Sequence, residues 1–67
     1  MDQFFLHKLA FQITRHYFNE GYGVELATRN AVVELMALAP WMTAWEAGKL
    51  ADRAWTALQK QRDAARN

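Results

Sequence analysis

The stretch Phe4 to Glu20, FFLHKLAFQITRHYFNE, constrains the fold more than any other part of the chain. Wound as a helix at about 100° per residue, it shows two apolar stripes. Leu6, Leu9, Ala10, Ile13 and Tyr17 form the first. Phe4, Phe11 and Phe18, spaced seven apart, form the second, roughly 140° away. Lys8, Gln12, Arg15 and Asn19 share the narrow polar strip that remains. A surface helix ordinarily has one apolar stripe and a broad polar back. A helix with two stripes has two things to pack against, so it is the expected centre of the domain.

The chain punctuates itself into three helices, at about 3–20, 24–39 and 44–64. Asp2 is a candidate N-cap for the first. Gly21 stands where a left-handed C-cap residue is wanted, and Tyr22, between two glycines, is expected to cover one end of the core. In the second helix Val24, Ala31, Val32, Leu35, Met36 and Ala39 lie on one side, with Leu26, Val33 and Ala37 roughly opposite. Glu25 and Arg29, four apart, suit a surface ion pair worth only about 0.3–0.5 kcal/mol. Ala39-Pro40 ends this helix, because the residue before proline avoids the α region. Thr43-Ala44-Trp45-Glu46 is a capping box that starts the third, with Met42 placed to pack on Ala47 as a staple. Ala47, Leu50, Ala51, Ala54, Ala57 and Leu58 then form a buried face rich in alanine, with the aromatics of the first helix as its expected fillers. Glu46, Lys49, Asp52, Arg53, Thr56 and Lys60 face water. The last residues, about 62–67, are expected to fray. The fold class is therefore all-α, a three-helix bundle in one domain spanning 1–67.

Size turns this pattern toward association. A domain of 67 residues buries only about 60% of the surface its unfolded chain exposes. Small domains usually add disulfides, a metal or a partner chain. Cysteine is absent, which excludes the first and any thiolate zinc site. Yet 52% of residues are hydrophobic and 13% aromatic, more than three short helices are expected to shelter. A homodimer, as a four- or six-helix bundle, is the expected remedy. Aromatic residues and Met are enriched at interface centres. Phe4, His7, Phe11 and Phe18 are the first candidates for the self-association face. Trp41, Trp45 and Trp55 are the second, and are free to serve an unlike partner.

Chemistry is poorly provided for. Serine and cysteine, the two commonest nucleophiles, are both missing. His7 and His16 point roughly 180° apart on one helix, so they cannot share a metal within one chain. His16 and Glu20 make a common helix-surface pair and no more. No catalytic, cofactor or metal site is expected, and the chain is read as non-enzymatic. Net charge is +1, which gives no strong reason to expect nucleic acid as partner. The first residues lack a basic region ahead of an apolar run, so no signal peptide is expected. The apolar stretch Ala31 to Met42 is broken by Glu34 and Pro40 and is too short to span a bilayer. A cytoplasmic location, without membrane contact, is the expectation.

One alternative comes from the short turn between the second and third helices, which has the outline of a helix-turn-helix. The start of a reader helix should offer Arg, Lys, Asn, Gln or Ser to base edges. Here it offers Thr43, Ala44, Trp45 and Glu46, and the first basic residues are Lys49 and Arg53. DNA binding through Lys49 and Arg53 is the second expectation, and a subunit of a larger structural assembly the third. The leading one is a protein–protein interaction module.

The stretch Trp45-Glu46-Ala47-Gly48-Lys49-Leu50-Ala51-Asp52-Arg53-Ala54-Trp55 resembles the C-terminal helix of many small proteins encoded by phages and prophages. In those an alanine-rich helix carries Ala-Asp followed by a further apolar residue. The resemblance covers about a sixth of the chain. It implies an accessory protein that binds and modulates a host bacterial protein, as an inhibitor or adaptor. It carries over no site residue.

Overall fold

The computed structural model describes residues 3–66 and contains three helices: α1 (Gln3–Asn19), α2 (Val24–Leu38) and α3 (Ala44–Arg66). The expected Asp2 cap lies outside the described residues. Every helix packs against the other two. The two short connections make sequential helices antiparallel, so α1 and α3 run the same way. By length α1 spans about 26 Å and α2 about 23 Å, whereas α3 spans about 35 Å. The final turns of α3 therefore stand clear of the bundle, and every residue from Lys60 to Arg66 is exposed. The helix continues past the end expected near Ala64.

The breaks work as their residues dictate. Gly21 has φ +89°, the left-handed conformation that a residue with Cβ adopts only under strain. The Tyr22 N–H donates to the Tyr17 carbonyl and the Gly21 N–H to the Phe18 carbonyl, both at 3.2 Å. This is a Schellman motif, and the Tyr17 and Tyr22 rings stacked at 5.4 Å supply its usual apolar contact. Tyr22 thus closes the α1 C-terminus and stays largely exposed, short of covering the core. At the other break the Met42 N–H donates to the Ala39 carbonyl at 2.9 Å, closing a turn with Pro40 at its second position. The capping box is complete: the Glu46 N–H donates to Thr43 Oγ1 at 3.1 Å, and the Thr43 N–H to Glu46 Oε1 at 3.2 Å. Met42 and Ala47 share one buried cluster, as a staple requires.

The interior is built from small residues. Ala10, Ala27, Ala31, Ala47 and Ala51 are fully buried, and the largest fully buried side chains are Leu35 and Thr14. This corrects the expectation that the α1 aromatics fill the space opposite the alanine face of α3. Ala10 and Thr14 of α1 meet the alanine faces of α2 and α3 at the centre, and Phe11 and Phe18 lie half-buried at its edge. On α1 the burial maximum falls on Ala10, at the edge of the first stripe, and Thr14, between the two. The stripes are the two sides of a wedge. Leu6, Leu9 and Ile13 pack on the cluster around Leu35 and Ala39. On the other side, Phe18 meets Trp55 of α3 edge to face at 5.0 Å. Phe11 and Phe18 of the second stripe are thus half-buried within one chain, whereas Phe4 of the same stripe stays exposed.

On α2 the expectation of two apolar sides meets a different outcome. Ala27, Ala31, Leu35 and Ala39 are buried, whereas Leu26, Val33 and Ala37 face outward. Val24, read on the core side, is exposed at the first turn. Glu25 and Arg29 do not close to ion-pair distance. Among the described residues the close pair is Arg62 with Asp63. On α3 all six residues expected to face water do so.

Candidate functional site at the aromatic end

Antiparallel pairing of α1 and α2 brings the start of α1 beside the α2–α3 turn and the first turns of α3. Three aromatic side chains there are mostly in solvent: Phe4 is 76% exposed, Trp41 60% and Trp45 69%. Phe5 and Leu38 are exposed at the same end. The reasons are local. Pro40 sets a turn whose next residue, Trp41, has no helix to lie on. Trp45 sits in the first turn of α3, on the side turned from the alanine face.

Between α1 and α3 at this end runs a groove of about 210 Å³. Leu6, Met42, Trp45 and Leu50 supply apolar walls, and His7, Glu46, Lys49 and Arg53 the polar rim. A second hollow of about 180 Å³ continues it toward Phe11 and Ala57, sharing His7, Leu50 and Arg53. The Lys49 ammonium lies 4.3 Å from the centre of the Trp45 ring, one helical turn back, which holds the indole beside the groove. Glu46 is committed to the cap, where it also accepts from the Thr43 hydroxyl at 2.9 Å. The free charge at the groove is therefore positive, from Lys49 and Arg53.

The residues singled out from sequence divide clearly. Phe4, His7, Trp41 and Trp45 stand in solvent, while Phe11, Phe18 and Trp55 are half-buried between α1 and α3. The Arg62 guanidinium lies 5.4 Å from the Phe18 ring centre, further enclosing that side chain. Lys49 and Arg53, four apart on α3, are both exposed at the rim, and the first turn of α3 presents indole and carboxylate where a DNA reader needs donors. His7 and His16 point to different sides. His7 borders the groove, and His16 meets the Tyr17 ring edge-on at 5.2 Å. Among the described residues no three His, Asp or Glu side chains gather as metal ligands, and no helix is long and apolar enough to cross a membrane.

Two features had no place in the sequence reading. One is the groove: Met42 is buried in the core and Leu6 and Leu50 pack against it, as their spacing predicts, and the same three side chains also line the groove. Thr14 is fully buried and its hydroxyl has no hydrogen-bond partner. Thr28 and Thr56 turn theirs back onto the carbonyls of Val24 and Asp52, at 2.7 and 3.0 Å. The signal for Thr14 was its place on the helical wheel, midway between the two stripes.

One ionisable group is perturbed by its neighbours. The Glu34 carboxylate of α2 accepts from the Tyr17 phenol of α1 and, helped by partial burial, holds its pKa above the usual 10.0. No known protein family, curated protein or solved structure matches this chain.

Proposed function

We propose that the chain is a non-enzymatic protein–protein interaction module that works as a homodimer and offers its aromatic end to a second protein. The observation that carries this reading is the exposure of Trp41 and Trp45 beside an apolar groove with a cationic rim. Trp is among the residues most enriched at the energetic centres of interfaces. A partner helix or loop with apolar anchors and a carboxylate suits the groove, since Lys49 and Arg53 make its rim cationic. The resemblance of residues 45–55 to phage and prophage helices points to a host bacterial protein as that partner, inhibited or adapted by the chain, and so to the cytoplasm as its place of action.

The test is capture from bacterial lysate with the tagged chain, run beside the double variant Trp41→Ser, Trp45→Ser. Both positions are exposed, so the variant should keep its helical circular dichroism. The expected result is a protein retained by the wild type and lost from the variant. If the two retain the same proteins, or neither retains any, the aromatic end is not a binding site. The helix-turn-helix alternative predicts instead retention of DNA at low salt that falls steeply as salt rises.

A further inference from the structure

The outward face of α2 is apolar, and no residue of α2 lines the groove. Leu26 is 55% exposed and Val33 63%, and Ala37 continues the line. With Asn30 they form a seam at 26, 30, 33 and 37, the alternating spacing of four and three that defines a coiled-coil core. The seam is opposite the buried Ala27, Ala31 and Leu35, and Leu26, Val33 and Ala37 are exposed, with Asn30 half-buried between them. On this heptad Leu26 and Val33 take d positions and Asn30 and Ala37 take a positions. Arg29 falls at g and Glu34 at e, flanking the seam on opposite sides.

We infer that this face is the contact between two copies of the chain, with α2 packed against α2 in parallel about a twofold axis. Three features select a second copy in this orientation. A parallel pair sets each seam residue against itself, so Leu26 meets Leu26, and Val33 meets Val33. Asn30 then meets Asn30, a pairing that fixes parallel, two-stranded register. Arg29 at g lies against the partner's Glu34, five residues on, and symmetry makes that pair twice. Among the described residues neither charge has an ion-pair partner. Glu34 accepts from Tyr17 and keeps acceptor capacity to spare, because a carboxylate has about four lone-pair sites. An antiparallel pair fails on the same residues, setting Asn30 against an apolar Val33 and leaving Arg29 without an acid. This inference deepens the dimeric part of the proposed function and is independent of what the aromatic end binds.

The experiment is sedimentation equilibrium over micromolar to millimolar concentration. Wild type should dimerise weakly, as a seam of four layers allows. Val33→Asp should raise the dissociation constant at least tenfold and, being on an exposed face, keep its helical signal. Arg29→Glu and Glu34→Arg should each weaken the dimer, and an equimolar mixture of the two should restore it. Because the chain lacks cysteine, single-cysteine variants report the register directly. Val33→Cys should oxidise to a disulfide-linked dimer far faster than a Lys60→Cys control. Four results would overturn the inference. They are a wild type that stays monomeric to millimolar concentration, a Val33→Asp variant that dimerises normally, a mixture that fails to restore association, or Val33→Cys linking no faster than the control. Should the Trp41→Ser, Trp45→Ser variant be the one that fails to dimerise, the contact lies at the aromatic end and not on α2.

Discussion

The middle of the bundle and its aromatic end are built on opposite rules. In the middle, alanines from three helices meet, and the bulkiest fully enclosed groups are one leucine and one threonine. At the end, two tryptophans and a phenylalanine stand mostly in water within a few residues of that core. A composition that is 13% aromatic would ordinarily be read as a large-residue core. The difference shows that burial here is limited by how closely the helices approach. Once Ala10, Ala31 and Ala51 set a short separation, rings can only lie along the seams or outside them.

The sharpest way to break this comparison is to remove the largest side chain that the middle fully encloses. Leu35→Ala should cost about 2–5 kcal/mol, by loss of buried apolar surface plus the cavity left behind. For a domain of this size that approaches the whole stability, so urea titration should find the variant largely unfolded. Adding bulk should also hurt. Ala51→Leu should cost about 1–3 kcal/mol, whereas a roomy interior would accept it without loss. Thr14→Val keeps the shape and removes an unpartnered buried hydroxyl, so stability should rise by about 1 kcal/mol. A fall would mean that the hydroxyl has a partner. At the other extreme, Trp45→Ser should change stability by less than about 1 kcal/mol, the scale of an exposed cation–π contact. A larger loss in thermal unfolding would move Trp45 from the surface into the core.

The smallest effect concerns pH. The pKa of Tyr17 is raised by the Glu34 carboxylate in the folded chain, so the folded state favours the neutral phenol. The stabilisation is fully present below the unfolded value of about 10 and is lost as pH climbs through the raised folded value. Ultraviolet titration of the folded protein should show a late-ionising tyrosine. Glu34→Gln should bring it back toward the ordinary value, and no change would separate the two side chains.

How much of this was legible in the chain follows from the range of each interaction. The α1 and α3 boundaries rest on contacts within six residues. Gly21 in its left-handed turn, Pro40 in its tight turn and the Thr43–Glu46 box are all local, and all could be read from residue type and spacing. The α3 faces were equally legible, because one stripe of alanine admits one assignment. The two stripes of α1 were ambiguous. Periodicity shows that two surfaces are covered but not whether they belong to one chain or two. That choice depends on the distance between helices, which Ala27 and Ala31 on another element help to set. The groove was hidden for a related reason: Leu6 and Leu50 have the spacing of core residues and do pack on the core, and periodicity does not show that they also line a groove.

The smooth alanine walls have a consequence for precision of assembly. Side chains that end at Cβ offer few ridges, so one rod can slip lengthwise past another with little resistance. What indexes the three rods must then be a small number of protruding teeth and the two tight corners. Leu35 is the pin, and the glycine corner and the threonine–glutamate clasp are the stops. A chain so assembled gains its exact alignment from a handful of positions, and loosening one of them would let the rods drift before they part.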